Sequence, residues 1–444
     1  MPDTFDLVIK GGTLVNHDGI GKADVGVCGG RIAEIGDIKP TRAGQVIDAT
    51  GLHVLPGVID SQVHFREPGG EHKETLGDGS RSAVLGGVTA VFEMPNTDPL
   101  TTSAGALADK VARGRKDMFC DFAFYVGATR ENVDMLPELE RLPGSAGIKV
   151  FMGSSTGYLL IDDEDSLSRV IATISRRAAF HSEDEARLNA GKDIRREGDP
   201  ASHTEWRDPQ AALISTKRLI RLATEHGKRV HVLHISTGEE MELLAGHKDV
   251  ASVEATPQHL TLNVPEAYEA LGTRAQMNPP LRDADHQKVL WWGVAQGVVD
   301  VLGSDHAPHT LEEKGQPYPA SPSGMPGVQT LVPIMLDHIN AGRLSLERFV
   351  DLTSHGPQRV FGIACKGRIA AGYDGDFTIV DMVEKRTIED EWIASKCGWT
   401  PFAGREVTGW PKGTVVRGRR VMWEGEITGD PCGEPVRFLE ALSS

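Results

Sequence analysis

The chain has 444 residues, 39% of them hydrophobic and 25% charged, which is ordinary for a globular protein with a large core. Its formal net charge of −16 argues against nucleic acid as a partner, because binding a phosphate backbone needs a basic patch. A local cluster in a cleft can still attract a small anion.

The opening MPDTFDLVIKGG lacks the basic start and apolar run of a signal peptide, and no stretch of about 18 apolar residues reads as a membrane span. Five widely spaced cysteines form no zinc-knuckle or redox motif and read as free thiols. The expected location is the cytoplasm, away from membranes.

Residues 5 to 55 hold short β-like runs punctuated by glycine, such as DLVIKGGTLV and ADVGVCGGRIAEIG, with no helical period. The same texture returns near the C-terminus in KGRIAAGYDGDFTIVDM and GTVVRGRRVMWEGEI. Neither end is long enough for its own core. The expectation is one composite β-sandwich domain from residues 1–55 and 365–444, with a small antiparallel sheet at the N-terminal end.

Between these ends, residues 56–364 alternate apolar strands with helical stretches, the pattern of βαβ units. Eight candidate strands occur in order: HVLPGVID, TAVFEM, FAFYVG, GIKVFM, RAAFHS, RVHVLHIS, VASVEATP and VDVLGSD. Helical patterns such as SAGALADKVARGRK and ALISTKRLIRLATEH separate several of them. Eight units over such a span predict an α/β fold, a (β/α)₈ TIM-type barrel, which needs about 250 residues. No GxGxxG turn follows the first strand, which argues against a dinucleotide-binding open sheet.

Barrels of this kind do chemistry at the C-terminal ends of their strands. Gln62, His64 and Arg66 follow strand 1 at intervals of two, which puts them on one face of an extended chain. Asn96 ends strand 2, Lys149 lies in strand 4, His181 ends strand 5, His234 strand 6 and Asp305 strand 8. Each has an ordinary explanation alone: a hydrogen-bonded histidine, a helix-capping aspartate, a snorkelling lysine, an arginine paired with Glu67 or Glu71. Their coincidence at one face points to a metal-assisted hydrolytic site. Strand alternation turns His231 away from His234, and His306 away from Asp305. His17, His53, His72, His226, His247, His286 and His338 lack such context and read as surface residues.

Nine fragments occur in order: PGVIDSQVHFREPG, GGVTAVFEMPNT, GIKVFMGSSTG, FHSEDE, HVLHIST, TPQHLTL, MNPPLR, GSDHAPH and SPSGMPG. On these the chain resembles the cyclic amidohydrolases, and more narrowly the dihydroorotases of the long bacterial type. The resemblance implies one or two Zn²⁺ ions held by His64, Lys149, His181, His234 and Asp305, with Lys149 carboxylated to a bridging carbamate. An ammonium beside a dication is strongly disfavoured, so the modification removes a conflict. It further implies Asp305 as the catalytic proton carrier, and Arg66, Asn96 and His309 around a substrate carboxylate. Asn278 and the Ser323–Gly324 backbone would touch the ring.

Gln62 departs from the family pattern Asp-x-His-x-His, since this chain reads Asp60-Ser61-Gln62-Val63-His64. An amide oxygen is a poorer zinc ligand than imidazole, so Gln62 is a weak ligand or none. The activity implied is interconversion of N-carbamoyl-L-aspartate and dihydroorotate, a small anionic cyclic amide. Two alternatives stay open: another cyclic amidase of the allantoinase or dihydropyrimidinase type, and a non-catalytic homologue serving as structural partner of aspartate transcarbamoylase. The resemblance also implies a homo-oligomer.

Overall fold

The structure is a computed structural model that describes residues 4–153 and 157–441. Ser154, Ser155 and Thr156 of the GIKVFMGSSTG fragment lie outside the described residues. Eight strands form one parallel sheet in chain order. They are β1 (Val58–Val63), β2 (Val88–Glu93), β3 (Asp121–Gly127), β4 (Ser145–Phe151), β5 (Ala178–His181), β6 (Val230–Val232), β7 (Ala251–Ala255) and β8 (Val301–Leu302). Just past β8 the chain returns to β1: His64 N donates to His306 O at 2.7 Å, and Ser304 N to Asp60 Oδ1 at 2.9 Å. These bonds close a (β/α)₈ barrel at its C-terminal mouth.

Alternation within the strands sorts side chains into two cores. In β3, Phe122, Phe124 and Val126 face outward into the layer shared with the helices, while Ala123 and Tyr125 face the barrel interior. The helices answer with one apolar stripe each. Pro209–Glu225 buries Ala212, Leu219, Ile220 and Ala223, and starts where the Asp208 side chain accepts from Ala211 N with proline in the first turn. Phe92 meets Phe361 and Phe438 edge-on at 5.4 and 5.6 Å between ring centres, so the lower interior is packed solid. Access is left to the mouth.

The two chain ends meet in a pair of sheets. Four N-terminal strands run in the order Arg31–Gly36, Asp24–Cys28, Phe5–Lys10, Ala43–Asp48. The second sheet has seven strands and mixes both ends: Phe377–Thr387 pairs antiparallel with His53–Pro56. Leu7, Ile9, Val25 and Val27 pack against Val54, Phe377, Ile379 and Val415 between the sheets, as a sandwich requires.

Two details differ from expectation. The N-terminal strands are not purely antiparallel, because Phe5–Lys10 pairs parallel with Ala43–Asp48 and Thr13–Asn16 parallel with His53–Pro56. The segment HVLPGVID is also two strands, the first in the seven-stranded sheet and the second opening the barrel. Gly57 joins them where a Cβ would lie 2.2 Å from Thr89 Oγ1, so no side chain fits that crossing. No described helix is long and apolar enough to cross a membrane.

Candidate active site

All twelve residues singled out at the strand ends and loops line one cleft of about 230 Å³ at the mouth. Gln62, His64 and Arg66 come from the end of β1, Asn96 follows β2, Lys149 is in β4, His181 ends β5, and His234 follows β6. Asp305 and His309 follow β8; Asn278, Ser323 and Gly324 come from two loops beyond.

Regular strand geometry places only part of this set. Ile148 and Val150 pack outward, so Lys149 between them points inward. His234 is different. Val230 and Val232 face outward, so alternation sends His231 and Leu233 into the interior, where His231 meets the Phe361 ring at 5.1 Å. His231 is therefore inside the barrel, below the cleft, and not on the outer face that alternation from His234 suggested. What brings His234 into the cleft is its backbone, at φ 36°. Arg66 and Asp305 share the left-handed region at φ 58° and 45°. Non-glycine residues held there cost on the order of 1–3 kcal/mol each and gather at functional sites.

His181 with His234 and His64 with Asp305 form two facing pairs, with Lys149 among them. On one side His181 Nε2 donates to Glu183 Oε2 at 2.9 Å, which leaves Nδ1 bare and 3.1 Å from His234 Nε2. Arg207, at 2.6 Å, holds Glu183 in place, so the carboxylate fixes ring and tautomer together. On the other side His64 Nδ1 donates to Asn96 Oδ1 at 2.8 Å, so its bare Nε2 faces Asp305 Oδ1 at 3.3 Å. Burial pushes all three imidazoles below their ordinary pKa, toward the neutral form that binds metals.

Gln62 turns its amide toward Asp305, with Nε2 donating to Oδ1 at 2.9 Å, and its buried Oε1 has no hydrogen-bond partner among the described residues. Lys149 is 1% exposed, makes no hydrogen bond or ion pair with the described residues, and sits over the Phe151 ring at 4.5 Å. Burial lowers its pKa to about 7, opposed by Asp305 and Glu254.

Among the described residues no three His, Cys, Asp or Glu side chains form a ready cation cage. The donor chemistry nevertheless fits a borderline cation such as zinc. The bare Nε2 of His64 facing a carboxylate at 3.3 Å, the bare Nδ1 of His181 3.1 Å from the His234 ring and the amide oxygen of Gln62 are acceptors lining one cleft. The unmodified ammonium of Lys149 is the one group of the wrong sign.

Arg66 occupies the opposite wall, its Nε donating to Pro308 O at 3.2 Å and one terminal nitrogen 3.3 Å from His309 Nε2. Asn96 spends Oδ1 on His64, and its Nδ2 has no described partner. Asn278 Oδ1 accepts from His203 Nε2 at 2.9 Å, and the same ring lies 3.4 Å from Ser323 Oγ. Gly324 N donates to Gln276 O at 2.9 Å, tying the two loops together.

The chain has recognisable relatives in sequence and in fold. The amidohydrolase family matches residues 53–421. A dihydroorotase of Halobacterium salinarum is 40% identical over 395 residues, covering 88% of this chain and 91% of its own. An allantoinase of Deinococcus radiodurans is 32% identical over 98% of this chain and 99% of its own. Among solved structures, an L-hydantoinase (dihydropyrimidinase) of Arthrobacter aurescens superposes with a TM-score of 0.91 at 30% identity, covering 98% of this chain and all of that one. The chain belongs to the amidohydrolase family, and it is a hydrolase of cyclic amide bonds.

Sequence reasoning missed several residues that hold the site. Glu183 stands two positions beyond His181, a spacing that could have marked it as a partner on the same side. His203 and Arg207 lie on and just after the short helix Ser202–Trp206, far in sequence from the residues they touch, and no local signal marks them. His338, expected at the surface, is 3% exposed, its ring 4.8 Å from that of Trp291 and bonded to Thr261. Its helix, Leu331–Asn340, is buried on most sides.

Proposed function

We propose that this protein is a zinc-dependent dihydroorotase, interconverting N-carbamoyl-L-aspartate and dihydroorotate in pyrimidine biosynthesis. One observation carries the reading: Arg66, Asn96, whose Nδ2 has no partner among the described residues, and His309 stand in the same cleft as the His64, Lys149, His181, His234 and Asp305 cluster. Planar guanidinium and amide donors suit a carboxylate, which dihydroorotate has and uncharged rings lack.

His64, His181, His234 and Asp305 would hold the metal, with Lys149 carboxylated so that the ammonium becomes an anionic oxygen donor between the two pairs. Carbamate formation joins the neutral amine to carbon dioxide and releases one proton. Gln62 offers only its Oε1, so one of two metal positions is weak. Zinc, when bound, polarises a carbonyl and lowers the pKa of water to about 7. Asp305 takes the proton of the attacking water and delivers it to the leaving ring nitrogen; in ring closure the transfer runs backward. Gln62 Nε2, bonded to Asp305 Oδ1, holds that carboxylate in line. Arg66, Asn96 and His309 orient the substrate carboxylate, while Asn278 and the Ser323–Gly324 backbone border the ring.

We further assign residues 56–364 to the catalytic barrel and residues 1–55 with 365–444 to a composite β domain. The five unpaired cysteines suit a reducing cytoplasm. A homo-oligomer, and association with aspartate transcarbamoylase, complete the proposal. A second reading, a cyclic amidase for neutral rings, is favoured by the structural likeness to the L-hydantoinase. A panel of dihydroorotate, dihydrouracil and allantoin separates the two. The highest kcat/KM is expected on dihydroorotate; faster turnover of either other ring hands the site to the second reading. No turnover by zinc-replete protein would instead make it the non-catalytic homologue.

A further inference from the structure

We propose that Lys73 is a positioning residue that fixes the tautomer of His309 and, through that ring, the preference of the cleft for an anionic substrate. The inference rests on the carboxylate-binding reading above.

Each nitrogen of the His309 ring has one donor and one acceptor competing for it. Nδ1 lies 3.2 Å from Lys73 Nζ and 3.5 Å from Glu313 Oε2. Nε2 lies 3.1 Å from Ser323 O and 3.3 Å from a terminal nitrogen of Arg66. Ammonium and guanidinium only donate, whereas carbonyl and carboxylate only accept. A neutral ring therefore has two self-consistent states. With the proton on Nε2, the ring donates to Ser323 O and accepts from Lys73. With the proton on Nδ1, it donates to Glu313 and accepts from Arg66. The first state uses the shorter contact at both nitrogens, and the Nδ1–Glu313 separation exceeds the usual range for an N–H···O bond. Burial and the nearby Arg66, Lys73 and Lys314 hold the ring's pKa well below its ordinary value, so the doubly protonated form is disfavoured.

The two states present opposite faces to a substrate. With Nε2 protonated, an imidazole N–H and an Arg66 N–H stand 3.3 Å apart with no acceptor bond between them. An anionic oxygen can accept from Arg66 and share the imidazole N–H with Ser323 O. With Nδ1 protonated, Nε2 shows a lone pair and consumes one Arg66 donor, and the same oxygen is repelled. Lys73 decides between them because it competes with Glu313 for Nδ1. Its ammonium is itself held by Glu313 Oε1 at 3.2 Å, which His72 also contacts at 3.2 Å. The backbone of His309 is fixed from the far side by Trp399 Nε1, donating to its carbonyl at 2.8 Å. Only the proton position is left to choose.

The test reads the proton directly. Protein labelled with ¹⁵N-histidine, zinc-loaded and without substrate, is compared with its His309→Gln variant to assign the ring. Wild type should show a bare Nδ1 and a protonated Nε2. Lys73→Met should move the proton to Nδ1 and raise KM for dihydroorotate about tenfold or more, the scale of one charge-assisted hydrogen bond. Lys73→Arg, which keeps a donor, should keep the wild-type ring state. Glu313→Gln alone should change neither ring state nor KM. Added to Lys73→Met, it should return the proton to Nε2 and lower KM again. If Lys73 acted only as a charge, Glu313→Gln alone would tighten substrate binding and Lys73→Met would leave the ring state untouched; either result overturns the proposal. A wild-type ring protonated on Nδ1 overturns it too. If wild type fails to turn over dihydroorotate, the carboxylate reading falls, while the ring spectra still decide the role of Lys73.

Discussion

At the floor of the barrel, Asp121, Asp374 and Asp376 converge on Lys366 at 2.6, 3.3 and 2.5 Å, and Arg417 and Arg437 complete the set. At the mouth, Lys149 is still more deeply buried and has no such partner among the described residues. Both lysines would cost several kcal/mol if left alone in a low-dielectric interior. The floor resolves that cost internally and so pins the C-terminal segment to the start of β3. The mouth leaves it unresolved: acceptors face acceptors, an amide oxygen is orphaned, and three residues hold left-handed backbones. Buried charge that is complete within the chain is structural, and buried charge that is incomplete waits for a ligand.

That contrast can be broken at either end, and the largest effect is expected at the floor. Lys366→Met removes the buried cation shared by Asp121, Asp374 and Asp376, leaving Arg417 and Arg437 to hold them from the rim, and should destabilise the fold by about 3–5 kcal/mol. Denaturant unfolding measures it, and a loss below about 1 kcal/mol would show that the cluster is not structural. At the mouth, Asp305→Asn should cut turnover by about 10²-fold or more, with zinc content measured on the same sample because Asp305 is also a proposed metal ligand. A variant retaining zinc and full turnover would remove Asp305 from the proton path. Arg66→Ala should lower kcat/KM on dihydroorotate by about tenfold or more, the worth of a charge-assisted bond, and affect dihydrouracil far less. Equal losses on both rings would mean that Arg66 supports the loop and not the carboxylate. The smallest change is expected for Gln62→His, which should raise zinc stoichiometry while leaving the melting temperature of the metal-free protein near wild type. Full two-metal occupancy in both proteins would show that Gln62 is no handicap.

The eight strands were legible because apolar alternation and inter-strand helices are local signals, and the polar residues at strand ends follow from them. Lys149 is the clean case, placed by Ile148 and Val150 on either side. His234 was reached by an argument its backbone does not obey, since alternation puts His231 in the interior and only a positive φ turns His234 to the cleft. Periodicity carries no record of such a turn. Glu183, Arg207, His203 and Lys73 were not seen because they act through contacts between distant segments. His338 shows the reverse error: a polar residue without a motif can still be buried by a helix covered on several sides. The parallel pairings of the end sheets depend on which strands meet after folding, which short glycine-punctuated runs do not encode.

The most direct test of the incomplete mouth is metal withdrawal and return. Purified protein is stripped with a chelator, its zinc counted, and hydrolysis of dihydroorotate followed as zinc is added back in the presence of bicarbonate. Activity should vanish with the metal and return in proportion to bound zinc, with bicarbonate needed for full recovery if Lys149 carries the proposed carboxylation. Turnover that persists undiminished in metal-free protein would contradict the account.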